Sequence, residues 1–451
     1  MPIRILTDLQ DARETVLARR PLAEPALPAH VADGVRRVFG ADLSAEQAVD
    51  VIIRRVRKEG DAALADLTAK IDGVALEAFE VEREVVRSAY AKVPDYVCEA
   101  LRLIAGRVRE FHEKAVPKSW IDFSPEGALG QLIRPLRRVG LYSPGGTADY
   151  PSSILMQAVP ARVAGVEEIL VASPPRKDGL PSPLSLVAAD IAGVDRVFAI
   201  GGAQAIAAMA FGTETVPPVD KILGPGNIFV ALAKKKLFGV VGIDQVAGPT
   251  ETLIIADESA NPAWAAADLL AQAEHDPMAS AVLITPSMNF AEKVRNEVEM
   301  RLKALARAEI ARRSLAANGG IVVTGSLGEA IEMANAYAPE HLCLLVEDAW
   351  SYVGQIRNAG GIFLGEHSPE VAGDYVAGPS HVMPTGGTAR FSSPINIWDF
   401  LKVTSLVALN EATVSKLGPA AITIATAEGL TGHAEAMKVR LDEQARGSGE
   451  G

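Results

Sequence analysis

Two adjacent side chains have the chemistry of an acid and a base that work near neutral pH. Glu340 and His341 stand side by side in the segment 338–342, directly before an apolar run typical of a strand. An imidazole exchanges protons near neutral pH, and a carboxylate can do the same or activate a water molecule. The pair therefore indicates proton-transfer chemistry, with a solvated polar loop as the plainer alternative.

A second group of side chains has the chemistry of metal ligands. Gln272 and His275 are three residues apart at the end of a predicted helix, which places them on one face. Asp374 lies on a turn flanked by glycine, and His433 lies on the predicted final helix. Two imidazoles, a carboxylate and an amide oxygen favour Zn²⁺ first and Mn²⁺ or Fe²⁺ second. Spacing alone supports this weakly, because such a Gln/His pair is more often satisfied at a surface or in a core.

Cysteine chemistry is a poorer candidate. Cys343 follows His341 by two residues, where a thiol could attack an aldehyde. It falls inside the predicted strand 342–346, so a buried apolar thiol is the favoured interpretation. The chain has two cysteines, Cys98 and Cys343, and neither belongs to a CxxC pair. This excludes a cysteine-rich metal site and fits a reducing compartment.

Three glycine-rich turns lie between predicted strands and helices, at 143–146, 201–204 and 224–227. Glycine allows a ligand to approach the backbone closely, and a helix N-terminus offers free N–H groups to phosphate. In open α/β sheets, ligands bind at the carboxyl ends of strands, where these turns lie. The usual GxGxxG fingerprint is missing, so the pattern permits a nucleotide, with ordinary strand-to-helix turns as the alternative.

The elements that must position these residues show two different patterns of hydrophobic residues along the chain. Residues 45–115 show helical periodicity, and from about residue 134 strand-like runs alternate with helical segments, including one long charged helix over 290–313. Alternation of this kind predicts an α/β fold with mainly parallel sheets, in two units divided near residue 249. The predicted regions are an N-terminal arm (1–30), a helical region packed on the second α/β unit (31–127), a nucleotide-associated α/β unit (128–249), an α/β unit with the metal and acid–base residues (250–382) and a C-terminal helical tail (383–451).

Composition narrows the class of protein. The chain of 451 residues is 49% hydrophobic and carries a net charge of −12, so neither nucleic acid nor an anionic membrane is an expected partner. The first 20 residues mix acids and bases without an apolar core, unlike a signal peptide, and no run of 18 uncharged apolar residues occurs. The expected location is the cytoplasm.

Taken together, several segments resemble the histidinol dehydrogenases. The resemblance covers about residues 40–440 in order. It is carried by VGLYSPGG (139–146), GGAQAIAAMAFGTETVPPVDKILGPGN (201–227), AGPTETLIIAD (247–257), LLAQAEHDP (269–277), APEHL (338–342), GDYVAGPSHVMPT (373–385), TARFSSP (388–394) and EGLTGHA (428–434). The resemblance implies two Rossmann-like units without the usual fingerprint, and oxidation of L-histidinol to L-histidine through L-histidinal with two NAD⁺ and one Zn²⁺ per subunit.

The resemblance also assigns roles to individual residues. It implies that the zinc ligands are Gln272, His275, Asp374 and His433 and that the acid–base pair is Glu340 and His341. The implied substrate contacts are Thr250, His341, His381 and Glu428, together with the zinc ligands. The implied NAD contacts are Tyr142, Gln204 and Asn227. The last histidine ligand is implied to come from the partner subunit, so a homodimer with shared active sites is expected.

Three small departures from the family pattern leave the substrate open. Thr250 stands where Ser is usual, Ser380 where Asn is usual and Gly432 where Ala is usual. A paralogue that oxidises another small polar alcohol, such as a sulfonated or amino diol, therefore remains an alternative. A zinc hydrolase that uses Glu340 and a metal-bound water, or a catalytically silent binding protein, would be further alternatives from other classes.

Overall fold

The computed structural model describes residues 3–19, 29–145 and 149–447. Its strands are β1 (Ile5–Leu6), β2 (Trp120–Ser124), β3 (Gly127–Pro135), β4 (Arg138–Tyr142), β5 (Glu168–Ala172), β6 (Arg196–Phe198), β7 (Lys221–Leu223), β8 (Gly242–Ile243), β9 (Glu251–Ala256), β10 (Ser280–Thr285), β11 (Gly320–Val323), β12 (His341–Leu345), β13 (Gly361–Leu364) and β14 (Leu401–Leu409).

Its α-helices are α1 (Leu9–Glu14), α2 (Ala29–Phe39), α3 (Ala45–Glu59), α4 (Asp61–Ile71), α5 (Arg83–Ser88), α6 (Asp95–Glu113), α7 (Pro151–Ala164), α8 (Pro183–Ala192), α9 (Gly202–Phe211), α10 (Ile228–Leu237), α11 (Pro262–Ala273), α12 (Met288–Arg301), α13 (Ala308–Asn318), α14 (Leu327–Tyr337), α15 (Glu370–Ala372), α16 (Glu411–Ala427) and α17 (Thr431–Gly447). The chain forms two compact units, of which the first comprises 1–115 and 136–400 and the second 116–135 and 401–451.

The first compact unit contains two parallel sheets, which confirms the predicted α/β class. One sheet has the strand order β6-β5-β4-β7-β8 and the other the order β1-β11-β10-β9-β12-β13. Every pairing within both sheets is parallel. Every residue of β9 and β10 is buried, because helices cover both faces of the sheet.

Residues Ile5–Leu6 belong to the six-stranded sheet, whereas residues 1–30 were predicted to form an arm. β1 pairs with β11, and the side chains of Ile3, Leu6 and Val16 are buried. A short apolar strand completes the sheet edge here, and burial of these side chains stabilises it. The proline-rich part of the predicted arm, residues 21–28, lies outside the described residues.

The helical region that follows was predicted to pack on the second α/β unit, but it packs mainly on the five-stranded sheet, and α6 also contacts the second α/β unit at the turn Gly373–Ala377. Val49, Ile52 and Val56 of α3 share a core with residues of α9 such as Ile206. Helix α6 shares another core with α7 and α8. Periodicity identifies the buried face of a helix but not the element that covers that face, which explains why the prediction was only partly correct.

The predicted long helix over 290–313 is two helices, α12 and α13, separated by residues 302–307. The helical spacing of apolar residues continues through the break without glycine or proline, so the sequence carries no stop signal there.

The sequence predicted the C-terminal helices of the second compact unit but not its antiparallel sheet. An antiparallel sheet with the order β14-β3-β2 accompanies α16 and α17. Strand β2 is exposed at every residue and therefore lacks the apolar alternation that marks a half-buried strand. The predicted tail starts at residue 383, whereas residues 383–400 belong to the first unit.

Candidate active site

The predicted acid and base lie together at the start of one buried strand. Glu340 immediately precedes β12 and His341 is its first residue, and they expose 6% and 3% of their surface. The chain reaches them through Ala338, which follows α14 in the left-handed region at φ 51° and ψ 66°. A side chain with a β-carbon disfavours this conformation by roughly 1–2 kcal/mol. Surrounding contacts must therefore hold this turn in place.

Glu340 is oriented by two donors from the neighbouring strand region. Its Oε2 accepts hydrogen bonds from the Thr250 hydroxyl at 2.6 Å and from the Glu251 amide at 2.9 Å. Burial raises the pKa of Glu340 to about 7, although the charge of His341 and the two hydrogen bonds lower it. A carboxyl group that titrates near neutral pH can both take up and release a proton there. Thr250, predicted to contact substrate, uses its hydroxyl to orient Glu340.

His341 is surrounded by acceptors. Its Nδ1 lies 3.1 Å from the Glu251 carbonyl oxygen, and its Nε2 lies 3.3 Å from Asp374 Oδ1. Because a carbonyl only accepts, Nδ1 carries a proton and Nε2 is the atom that can gain or lose one. Burial lowers the pKa of His341, but the charges of Glu370, Glu340 and Asp374 raise it to well above its usual value.

A further carboxylate, Glu370, was not singled out by the sequence pattern. It is 3% exposed, accepts a hydrogen bond from the Thr252 hydroxyl and lies 3.9 Å from His341 Nδ1. Burial raises the pKa of Glu370 to about 7, against the charge of His341. The ligand atoms of His341, Glu370 and Asp374 lie within 4.8 Å of one another, a grouping that could hold a cation. The spacing of four residues between Glu370 and Asp374 was the available signal.

The side-chain amide of Gln272 is in an environment expected of a group that binds a ligand. It is fully buried in the last turn of α11, and neither polar atom of its amide has a hydrogen-bond partner in the described part of the chain. A buried amide without partners costs about 1–3 kcal/mol, so such a group in a native core calls for a ligand. His275 lies just beyond the helix end and is exposed. Desolvation lowers the pKa of His275, and the charge of Asp374 opposes this shift.

Asp374 and His381 are tied together by the backbone. Asp374 lies in a π-helical turn, Gly373–Ala377, a rare conformation that is frequent at functional sites. His381 Nδ1 lies 2.7 Å from the Asp374 carbonyl oxygen, and its Nε2 lies 3.2 Å from the Ser153 hydroxyl. Both ring nitrogens of His381, a predicted substrate contact, thus have partners that fix the turn carrying Asp374. Burial lowers the pKa of His381.

The predicted nucleotide contacts lie at the carboxyl ends of the five-stranded sheet. The Tyr142 hydroxyl accepts a hydrogen bond from the Gly202 amide at 3.0 Å, and burial raises the pKa of Tyr142 to about 12. Gln204 is fully buried, and both polar atoms of its amide lack partners within the described residues. Asn227 caps α10, with its side-chain oxygen accepting from two amides of the first turn. Of the first glycine-rich turn, Gly146 falls outside the described residues.

The turn after β7 is braced by a buried ion pair. Lys234 and Asp244 expose 2% and 3% of their side chains and form the pair. Lys234 donates to the Gly224 carbonyl at 2.8 Å, and Asp244 accepts from the Gly224 amide at 2.8 Å. Gly224 has φ +116°, and a β-carbon there would collide with the Tyr142 carbonyl oxygen. The pair therefore fixes the backbone of the glycine turn that precedes Asn227.

The comparisons with known proteins agree with this arrangement. The family model described as histidinol dehydrogenase matches residues 36–441. The chain belongs to the histidinol dehydrogenase family. A histidinol dehydrogenase of Moorella thermoacetica is 52% identical over 413 residues, covering 90% of this chain and 97% of that protein. One of Deinococcus radiodurans is 49% identical over 435 residues, covering 96% and 99%.

The fold agrees as well. A crystal structure of histidinol dehydrogenase from Elizabethkingia anophelis superposes with a TM-score of 0.89 and 33% identity, covering 98% of this chain and 99% of that one. Membership of the histidinol dehydrogenase family identifies the chain as an oxidoreductase of the dehydrogenase type.

Two residues predicted for the site of this histidinol dehydrogenase family member lie in the second compact unit. Glu428 follows the C-terminal end of α16, and His433 lies in the first turn of α17. Both are exposed within the isolated chain. Their roles as substrate contact and metal ligand, and the origin of the histidine in a partner subunit, stay predictions. Among the described residues, none of the helices has the length and apolar character needed to cross a membrane.

Proposed function

We propose that this member of the histidinol dehydrogenase family oxidises L-histidinol to L-histidine through bound L-histidinal, using two NAD⁺ and one Zn²⁺ per subunit, as the last steps of histidine biosynthesis. The observation that carries the proposal is the buried, mutually oriented pair Glu340 and His341 beside Asp374. Conversion of an alcohol into an acid requires loss of a hydroxyl proton and addition of water to the aldehyde. The pair supplies one base for each of these tasks.

Gln272, His275 and Asp374 are suited to hold the zinc ion. The unpartnered buried amide of Gln272 supports this ligand set, which His433 of the partner subunit would complete. When bound, a zinc ion would supply Lewis-acid character at this site. The alternative grouping of His341, Glu370 and Asp374 is less suited, because it would use Nε2 of His341 as a metal ligand and so remove the base that the proposal needs.

His341 is proposed to accept the hydroxyl proton of the substrate. The Glu251 carbonyl keeps a proton on Nδ1, so Nε2, which faces Asp374, is the ring atom that exchanges a proton. The charge of Asp374 contributes to the raised pKa of His341, and a zinc ion held by Asp374 would offset that charge and leave Nε2 able to act as the base. The ring therefore presents its basic atom beside the proposed ligand set. As the alcohol carbon loses hydride to NAD⁺, Nε2 takes up the hydroxyl proton, and the aldehyde stays bound.

Glu340 is proposed to activate water for the second oxidation. Its Oε2 is engaged by Thr250 and Glu251, which leaves Oε1 to accept a proton from water as the oxygen adds to the aldehyde carbon. The resulting anion of the hydrate loses hydride to a second NAD⁺, which gives the acid, and Glu340 then releases its proton. A pKa of about 7 suits a group that must gain and lose protons within each cycle.

The dinucleotide is proposed to bind at the carboxyl ends of the five-stranded sheet, where Tyr142, Gln204 and Asn227 lie. The support is the unpartnered buried amide of Gln204, which lies where ligands bind in open α/β sheets. The proposed location of the protein is the cytoplasm.

The direct test is incubation of the purified, zinc-analysed protein with L-histidinol and NAD⁺, with product detection and NADH absorbance. We expect about two NADH per histidine formed, as two successive oxidations require. Turnover without NAD⁺ would favour a zinc hydrolase, and an inactive but zinc-loaded protein would count against the proposal.

A paralogue that oxidises another small polar alcohol is the second candidate. The observation in its favour is the set of departures at Thr250, Ser380 and Gly432. Two of them are accounted for locally: the Thr250 hydroxyl binds Glu340, and the Ser380 hydroxyl accepts from the Val382 amide at 3.2 Å. A substrate panel with sulfonated and amino diols decides between the two, because a paralogue would use one of them with a higher kcat/KM than histidinol.

The shared active site of the proposed homodimer has its own test. A His433→Ala subunit and a His275→Ala subunit should each be inactive as homodimers. If His433 completes the partner's site, mixing them under conditions of subunit exchange restores one intact site per heterodimer and part of the activity. Absence of recovery despite demonstrated exchange would exclude the cross-subunit ligand.

A further inference from the structure

Arg19, shortly after α1, makes a dense set of contacts at the edge of the six-stranded sheet. Its Nε donates to the Tyr337 carbonyl at 2.6 Å, and its Nη2 donates to the Ala338 carbonyl at 3.1 Å. The same guanidinium forms a two-point ion pair with Glu251, in which Nη2 lies 2.9 Å from Oε2. The guanidinium also lies over the Tyr337 ring, 3.5 Å from its centre. A single side chain thus joins the N-terminal segment, the end of α14 and the start of β9.

The first set of contacts stabilises the strained turn before the acid–base pair. Tyr337 and Ala338 end α14, and carbonyls at a helix end have no partner within the helix. Arg19 donates to both carbonyls, and its positive charge complements the negative end of the helix dipole. Ala338 is the one described non-glycine residue with positive φ. The contacts of Arg19 therefore stabilise the backbone at a residue in an unfavourable conformation.

The second set of contacts reaches the acid–base pair through Glu251. The Glu251 amide donates to Glu340 Oε2, and its carbonyl faces His341 Nδ1. The Glu251 carboxylate accepts two hydrogen bonds from Arg19 and a further one from the Gly386 amide at 3.0 Å. Both peptide groups that orient the pair therefore belong to a residue whose side chain is anchored by Arg19.

We infer that Arg19 is a positioning residue for the acid–base pair. It fixes the Ala338 turn from which Glu340 emerges and the Glu251 backbone that orients Glu340 and His341. Within the described part of the chain, none of its hydrogen bonds goes to Glu340 or His341, so its effect is transmitted through Ala338 and Glu251. The inference rests on the proposed function, which gives the pair its catalytic role.

The geometry requires arginine and not merely a positive charge. Four hydrogen bonds leave one planar guanidinium while its face packs on Tyr337. The ammonium group of lysine is a point charge and cannot reproduce this fork and the stacking together. Arg19→Lys should therefore retain the charge beside Glu251 but lose the bond to at least one of the two helix-end carbonyls.

The test compares Arg19→Met, Arg19→Lys and the control Arg13→Met, which removes an exposed arginine of α1. Zinc content, melting temperature and the kinetics of histidinol and histidinal oxidation are measured, with rates taken per folded, zinc-loaded subunit well below the melting temperature. We expect kcat to fall about 10- to 100-fold in Arg19→Met, as for a small misplacement of reacting groups, with zinc content and the KM for NAD⁺ unchanged. Arg19→Lys should lie between Arg19→Met and the wild type.

A double variant distinguishes positioning from general stability. If Arg19 acts through Glu340, Arg19→Met should reduce histidinal oxidation far less in a Glu340→Gln background than in the wild type. Additive effects, or a lower melting temperature with unchanged kcat, would overturn the inference.

A crystal structure of Arg19→Met provides the readout that does not depend on substrate. A displaced Glu340 carboxylate or Ala338 turn is expected, and an unchanged geometry of residues 338–341 would refute the inference. If wild-type protein fails to oxidise histidinol, the proposed function fails, and this structure still decides whether Arg19 positions the pair.

Discussion

The two parallel sheets carry their candidate functional residues at opposite edges. In the five-stranded sheet, Tyr142 and the turns after β6 and β7 lie at the carboxyl ends of the strands. In the six-stranded sheet, Glu340 and His341 lie at the amino end of β12, beside the residues that lead into β9. Binding sites at carboxyl ends are the general rule for open α/β sheets, so the second sheet departs from it.

The difference follows from the charge at helix ends. Helices that follow a strand begin at the carboxyl edge, where free N–H groups and the positive end of the dipole favour a phosphate. The same helices end at the amino edge, where the negative end favours a cation. Gln272 lies in the last turn of α11, and Arg19 binds the carbonyls at the end of α14. The carboxyl ends of the five-stranded sheet thus suit an anionic dinucleotide, and we call them the anion edge. The amino ends of the six-stranded sheet suit a metal cation, and we call them the cation edge.

The largest expected effect comes from His275→Ala at the cation edge. Loss of an outer-shell partner alone typically costs about 10- to 100-fold in metal affinity, so loss of a direct ligand should exceed this and abolish activity. Metal analysis after dialysis measures it. His367→Ala, at an exposed histidine in the same compact unit, is the control and should keep its metal. A His275→Ala protein that retained zinc would break the assignment of this edge to a cation.

Glu340→Gln should have the next largest effect and should divide the two oxidations. Removal of the proposed base for water addition should slow histidinal oxidation by about 10²–10⁴-fold and affect histidinol oxidation less. Single-turnover assays started from the alcohol and from the aldehyde measure the two steps. Equal losses in both half-reactions would remove Glu340 from this role.

Lys234→Met should affect the anion edge alone. Breaking the buried pair with Asp244 leaves an uncompensated charge, which should lower the free energy of unfolding by about 3–5 kcal/mol. Loosening of the Gly224 turn should raise the KM for NAD⁺ several-fold, while zinc content stays unchanged because the cation edge is untouched. The double variant Lys234→Met/Asp244→Asn should regain stability without regaining the KM. A loss of zinc in Lys234→Met would show that the two edges are not separable.

Cys343→Ala should have the smallest effect. The thiol is fully buried in β12, and burial raises its pKa well above the usual value, so a reactive thiolate is disfavoured. Removal of the sulfur should cost about 1 kcal/mol of stability through a small cavity and leave kcat unchanged. A thermal melt and an aldehyde-oxidation assay measure the two quantities, and a large loss of aldehyde oxidation would point to thiol chemistry.

The sequence by itself determined the α/β class and identified Glu340 and His341 as the candidate acid–base pair. β4, β5, β7 and β13 follow strand-like apolar runs between turn residues, and such runs are visible in the local composition. The adjacency of Glu340 and His341 is covalent, so no fold was needed to bring them together.

Only the tertiary structure decided which distant residues meet. Glu370 lies close to His341, and Arg19 forms hydrogen bonds with Glu251. Both contacts depend on packing between segments that are far apart in the chain. The sequence pattern likewise could not predict which sheet α3 and α6 pack against. Periodicity defines the buried face of a helix but not the element that covers that face. Local propensity acts over a few residues, whereas these contacts depend on how whole elements close on one another, which is why they appear only in the fold.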